Sequence, residues 1–340
     1  MKSRRKEWNR VKYDLVTFGE TMIRLSPPNF KRLEQTESLN VTVGGSELNV
    51  AVAAQRLGLK AAYITRLPRN PLGRMIANKA QEHGVDTSYI VWTEGDRVGL
   101  YFVEFGANPR PSSVLYDRAN SAISKIKPGE VPWGEIFRET RLFHTSGITP
   151  ALSPSAAEVT REAVRAAKEA GIKVSIDLNY RARLWSQEEA RKTMSELMGY
   201  TDILLTTEED TERVFGITGK DYTEVARRLA EEFGLDIVAI TIRENISVWR
   251  NRWTAIAYTG GKIYDDITYE LEIVDRVGGG DSFTAGFLYG YLTGDVGKGV
   301  KYGNALAALK HSIPGDLNWS TLEEVEALIK AGGKAGRIRR

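Results

Sequence analysis

The chain has 340 residues, 42% hydrophobic and 27% charged, with no cysteine and three scattered histidines. That composition excludes a disordered chain, a disulfide scaffold, thiol catalysis and a cysteine- or histidine-built metal site, and no apolar run approaches a membrane span. The net charge of +3 belongs to the ends, since residues 1–12 sum to +5 and residues 334–340 to +4, leaving −6 on residues 13–333; a nucleic-acid partner, which needs a basic folded face, is not expected.

In chain order, a buried strand is predicted over 14–18, closing at Gly19, then a helix over 46–57 stopped by Gly58. A strand over 61–65 and a helix over 72–83, ended by Gly84, follow. After a short strand over 142–145, Ser153 caps a helix with Pro154 at its first position and Gly171 past its end. A strand over 172–178 leads to a helix opened by the capping box Ser186-x-x-Glu189. The rhythm repeats with a strand over 203–206, a helix near 222–233 and a strand over 237–242. A hairpin over 246–258 is expected to turn near Asn251. Helices over 281–292, 298–311 and 320–330 end the chain, the last opened by Ser320-x-x-Glu323.

Strands alternating with helices of about 10–15 residues specify an α/β fold, a mostly parallel central sheet with helices on both faces. Two stretches, 21–43 and 97–118, instead alternate apolar and polar residues (Val98, Leu100, Phe102; then Val114, Tyr116). They are expected to form a small β-sheet beside a large domain made of 13–20, 44–96 and 119–331, with basic tails at 1–12 and 332–340. A chain of this length exceeds the usual single core, which fits a large and a small domain. The basic start is not followed by an apolar segment, so no signal peptide and a cytoplasmic location are expected.

The sharpest chemical signal is Asp275-Arg276-Val277-Gly278-Gly279-Gly280-Asp281. Glycines at a helix start let a ligand approach the backbone and leave N–H groups unpaired at the positive end of the helix dipole, a seat for phosphate. Asp281 in the first turn can accept a proton from an attacking hydroxyl. The same residues also suit a glycine-rich turn in which Asp281 caps the helix. None of the Gly-Lys pairs is followed by Ser or Thr, so no Walker A loop is present, and no Gly-x-Gly-x-x-Gly follows the first strand.

Two further constellations stand out. Gly44-Gly45-Ser46-Glu47-Leu48-Asn49 opens an apolar helix, and Asn49 interrupts its buried face; that amide needs partners, either the turn or a ligand. Asp177, Asn179 and Arg181 follow a buried strand, where ligands of open α/β sheets sit, and Arg181 offers a fork of donors suited to phosphate or to a surface salt bridge.

In order and separation these glycine motifs resemble the ribokinase-like (PfkB) family of carbohydrate kinases, from about Tyr13 to Lys330. Gly44-Gly45 through Asn49 to Gly58 is similar to its first signature, and Asp275 to Asp281 to its Asp-x-x-Gly-x-Gly-Asp element. Within the family the chain is most similar to the 2-keto-3-deoxygluconate kinases, through Leu67–Gly73, Leu115-Tyr116-Asp117-Arg118, Asp177–Arg181 and Leu309–Asp316.

The resemblance implies that the small sheet is a lid and that ATP with Mg²⁺ phosphorylates a sugar-acid hydroxyl. It implies catalytic roles for Asp281, the Gly278, Gly279 and Gly280 anion hole, and Arg181. Gly44, Gly45, Asn49, Tyr101, Tyr116, Arg118, Asp281 and Asp316 would line the sugar-acid site. Asn179, Arg181, Thr207, Thr241, Arg243, Gly278, Gly280 and Asn304 would contact ATP, with Asp210 the candidate near the metal. A keto acid's carboxylate calls for a cation, and Arg118 is one; Tyr101 and Tyr116 offer hydroxyls, or else pack the small sheet. Departures are Thr207-Glu208-Glu209-Asp210 where the family has Asn-x-x-Glu, Arg276 and Gly279 within the last signature, and Pro68 where a later glycine of the first is usual. Open alternatives are a kinase for a neutral sugar such as fructose or ribose, and a non-catalytic sugar or nucleotide sensor. An exposed lid sheet also offers an edge for a second copy.

Overall fold

The computed structural model describes residues 11–333, so the basic tails fall almost wholly outside the described residues. Strands β1 (Tyr13–Phe18), β4 (Ala61–Ile64), β9 (Thr140–Ser146), β10 (Lys173–Asp177), β11 (Ile203–Thr206) and β12 (Ile237–Asn245) run parallel in the order β12-β11-β10-β9-β1-β4. Antiparallel β13 (Arg250–Thr259) extends the sheet and carries β14 (Lys262–Asp265) and β15 (Tyr269–Glu272). The parallel strands are buried along most of their length because helices cover both faces.

One face packs Val16, Phe18, Phe143, Ile176 and Leu204 against the helices Pro154–Glu169, Gln187–Met198 and Tyr222–Phe233. The other packs Leu15, Leu142, Ile203 and Ala239 against helices α1 (Ser46–Arg56), Gly279–Thr293 and Val296–Lys310. Two of the three caps read in the sequence form as expected: Ser153 Oγ accepts from Ala156 N, and Ser186 with Glu189 closes a reciprocal box.

The two alternating stretches supply a four-stranded sheet, β3-β2-β7-β8, from β2 (Met22–Ser26), β3 (Asn40–Gly44), β7 (Leu100–Glu104) and β8 (Ser113–Asp117), while β5 (Arg66–Pro68) and β6 (Val91–Thr93) form a separate parallel pair. Two local expectations are corrected. The hairpin turns at residues 246–249, because Asn251 already pairs with Asn245 inside the ladder and is buried. The last helix is capped by Thr321 and Glu324, not Ser320 and Glu323: Asn318 Oδ1 accepts from Ser320 N at 2.9 Å and Ser320 is buried, so the cap falls one residue later.

Strand β1 connects to β4 on one side, while β9 to β12 build outward on the other. The crevice of the sheet therefore opens beyond the carboxyl ends of β1 and β9, where such sheets seat their ligands. Among the described residues no helix is long and apolar enough to cross a membrane.

Candidate active site

A cleft of about 690 Å³ opens at those carboxyl ends, roofed by the small sheet. Helix α1 and the helix Gly279–Thr293 both point their N-termini into it. Gly278 caps the latter at φ +84°, and a side chain there would begin 2.2 Å from the Asp316 carbonyl oxygen; conformation and space both demand glycine. Gly44 leaves room for a different reason, since the Asp316 carboxylate and Tyr101 hydroxyl stand where its side chain would be.

Asp281 lies in the first turn after Gly278. Its two oxygens accept from Ser46 Oγ and Asn49 Nδ2, each at 2.7 Å. The buried Asn49 amide is thereby satisfied, its Oδ1 taking a longer bond from Gly45 N. Burial pushes the Asp281 carboxyl above the ordinary range, with the bonds from Asn49 and Ser46 and the charge of Arg181 pulling the other way and Asp316 adding to the rise. An ionisable carboxylate of raised basicity, at a helix N-terminus beside a glycine turn, can take a proton from a hydroxyl next to a bound phosphate.

At the end of β10, burial and the neighbouring Asp281 and Asp210 charges hold Asp177 well above its usual value, against the pull of Arg181. Asp210 is also raised, by burial, again opposed by Arg181. Asn179 takes a left-handed φ of +39° and donates to Ser46 Oγ at 3.3 Å. Thr207 caps the helix Glu208–Phe215, its hydroxyl accepting from Asp210 N, while Thr241 and Arg243 on β12 line the same cleft. Among the described residues no three acid or histidine side chains form a metal cage. Carboxylates facing open space without such a cage fit a Mg²⁺ that arrives on phosphates and keeps its waters.

Under the small sheet, Tyr101 and Tyr116 stack with centroids 6.0 Å apart, and Tyr101 donates to the Asp316 carboxylate. Arg118 donates through Nε and Nη2 to the buried Glu20, which Ser121 Oγ also holds at 2.6 Å. Of the residues singled out in the sequence, Gly44, Gly45, Asn49, Tyr101, Tyr116, Arg118, Asn179, Arg181, Thr207, Asp210, Thr241, Arg243, Gly278–Gly280, Asp281 and Asp316 all line this one cleft. Asn304 does not. It is fully buried and donates to Asp266 and the Ile267 carbonyl, tying a loop rather than facing the cleft.

Sequence reasoning missed the buried ions behind the cleft. Arg24, 2% exposed, donates to both Asp275 and Asp316 at 2.7 Å and joins the small sheet to the glycine turn. Glu47, 1% exposed, accepts from Ser146 N, Ser146 Oγ and Thr149 Oγ1. A charged residue within an apolar helix start, as Glu47 is, was the available signal.

The pfkB family carbohydrate kinase profile matches residues 12–321. The chain belongs to the pfkB family of carbohydrate kinases. This pfkB kinase is 42% identical over 324 residues to a 2-dehydro-3-deoxygalactonokinase of Haloferax volcanii, covering 95% of this chain and 98% of that one. It is 31% identical to a 5-dehydro-2-deoxygluconokinase of Bacillus subtilis, over 94% of this chain and 96% of the relative. The crystal structure of a 2-dehydro-3-deoxygluconokinase from Thermotoga maritima superposes with a TM-score of 0.91 at 44% identity, covering 94% of this chain and 99% of that one. The family is one of carbohydrate kinases, and the activity is phosphorylation of a carbohydrate.

Proposed function

We propose that this kinase transfers the γ-phosphoryl group of ATP to the C6 hydroxyl of 2-keto-3-deoxygluconate (2-dehydro-3-deoxygluconate), giving 2-keto-3-deoxy-6-phosphogluconate and ADP. The observation that carries it is Asp281, fixed by Ser46 and Asn49 beside the Gly278 turn, between the nucleotide-facing and lid-facing halves of one cleft. The C6 oxygen attacks the γ-phosphorus, the bond to the ADP oxygen breaks, and the hydroxyl proton passes to Asp281. Gly278–Gly280 and Arg181 receive charge on the transferring group. Asp210 and Asp177 would hold a Mg²⁺ brought in on the phosphates, which would supply charge neutralisation. The small sheet acts as a lid that keeps water from the phosphate.

The acid class of the acceptor rests on Arg118, whose Nη1 hydrogens are left over from its pairing with Glu20, and on the relatives' names. That pairing also supports a second reading, since Glu20 neutralises Arg118 and suits a neutral sugar such as fructose or ribose.

The test is ADP release with Mg-ATP on 2-keto-3-deoxygluconate, its galactonate epimer, fructose, ribose and adenosine. Turnover confined to the gluconate acid, or to both keto acids, supports the reading. Turnover on a neutral sugar alone favours the second, and turnover on the galactonate acid alone moves the proposal to that epimer.

A further inference from the structure

Lys310 ends the helix Val296–Lys310 and turns inward, where it is 0% exposed. Its ammonium donates to the Ile313 carbonyl at 2.9 Å and reaches the Asp275 carbonyl at 3.5 Å. Its Cε lies 3.3 Å from where a side chain on Gly278 would begin, so the lysine packs directly beneath the glycine turn. Around it stand Asp275, Asp316, Arg24 and, further off, Asp281. Asp275 in turn holds the turn itself, accepting from Val277 N and Gly315 N at 3.0 Å. His311 packs against Gly279, and burial holds its ring down at about 4, so it adds no charge at neutral pH.

Burial lowers the pKa of the Lys310 ammonium, and the charges of Asp275 and Asp316 oppose that; with all four groups ionised, Arg24 and Lys310 balance Asp275 and Asp316. Without Lys310 the cluster carries a net negative charge in a dry interior, directly behind the seat of an anion. At low dielectric such a charge acts over several ångströms on both the phosphate and Asp281.

We propose that Lys310 is a positioning residue, an internal cation that neutralises the charge beneath Gly278–Gly280 and ties down the Asp275 and Ile313 carbonyls, keeping the turn receptive to phosphate. This rests on the reading of that turn as the phosphate seat. The Asp275 and Ile313 carbonyls are oxygens of the kind a hard cation takes, and here they meet the chain's own ammonium. Asp281 feels the same balance: the charges of Glu47, Asp177, Asp316, Arg181 and, more weakly, Lys310 act on it, so neutralising Lys310 removes a cation that favours its ionised form.

The experiment measures ATP affinity by calorimetry, and turnover against pH, in the full-length protein and in Lys310→Met. The expected result is ATP binding weakened at least about tenfold and an acid limb of kcat moved to higher pH. In Lys310→Ala, methylammonium restores ATP affinity where choline at equal ionic strength does not. If Lys310→Met does not fold, the double variant Lys310→Met with Asp316→Asn, which restores neutrality, is expected to fold and bind ATP. ATP affinity unchanged in Lys310→Met, or a loss that neither methylammonium nor the charge-balancing substitution repairs, overturns the assignment. Wild-type protein that binds no ATP overturns the phosphate seat and this inference with it. Wild-type protein that binds ATP but phosphorylates no tested acceptor overturns the acceptor alone, since the binding arm uses none.

Discussion

Asn49 Nδ2 donates to Asp281 Oδ2 at 2.7 Å, joining the first turn of α1 to the first turn of the helix Gly279–Thr293 across 232 residues. The bond favours the ionised carboxyl and offsets part of the rise that burial imposes. Asn49→Leu removes it, so Asp281 holds its proton to higher pH. The acid limb of kcat should move up by about one pH unit, the worth of one hydrogen bond to a charged group. A profile that stays in place while kcat falls would show that Asn49 only packs.

Asp281→Asn keeps a group of the same size between Ser46 and Asn49 but removes the proton acceptor. Turnover should drop by about 10²–10⁴-fold, while ATP affinity, measured by calorimetry, stays within a few-fold of wild type. Near-normal turnover would remove Asp281 from the chemistry and leave it as the link between the two helix starts.

Most of the fold was legible because periodicity and punctuation agree. Ser153-Pro154, the Ser186–Glu189 box and the Gly84 and Gly171 stops act within one turn of chain, and the structure uses each of them. The glycine turn and Asp281 were legible for the same reason. What was hidden depends on contacts between distant segments. Arg24 lies 251 residues from Asp275 and 292 from Asp316, and in an alternating strand it reads as a solvent-facing charge. Lys310 likewise reads as a basic residue suited to a helix C-terminus, a surface role, until the fold encloses it. Asn304 was misplaced in the opposite sense: its loop partners, Asp266 and Ile267, stand 38 and 37 residues away in sequence and give no local signal.

Glu47 sets a pH dependence of stability. Burial pushes its carboxyl from 4.5 up to about 7 in spite of the bonds from Ser146 and Thr149. A raised folded value means that the native state holds the proton more tightly than the unfolded chain. Stability therefore falls as pH rises from about 4.5 to about 7, then levels off. Relative to Glu47→Gln, the wild type should lose up to about 3 kcal/mol across that window in urea melts. A difference between the two proteins that does not vary with pH would place an ionised Glu47 in the native state throughout.

The Glu20–Arg118 pair separates the two acceptor readings. Arg118 is 10% exposed in its side chain and Glu20 1%, so removing the arginine alone leaves a buried, unpaired carboxylate, a loss of about 3–5 kcal/mol that would obscure any effect on substrate. The informative variant is therefore Arg118→Gln combined with Glu20→Gln, which removes both charges and keeps hydrogen-bonding groups of similar size. If a sugar carboxylate uses the Nη1 donors of Arg118, the KM for the keto acid should rise at least about tenfold, the worth of one charge-assisted contact. The KM for ATP should hold, because the pair is tied to the small sheet and Ser121 and neither residue is among those assigned to ATP. An unchanged keto-acid KM in a folded double variant would mean that the substrate carboxylate meets a different cation of the cleft, Arg181 being the next to replace.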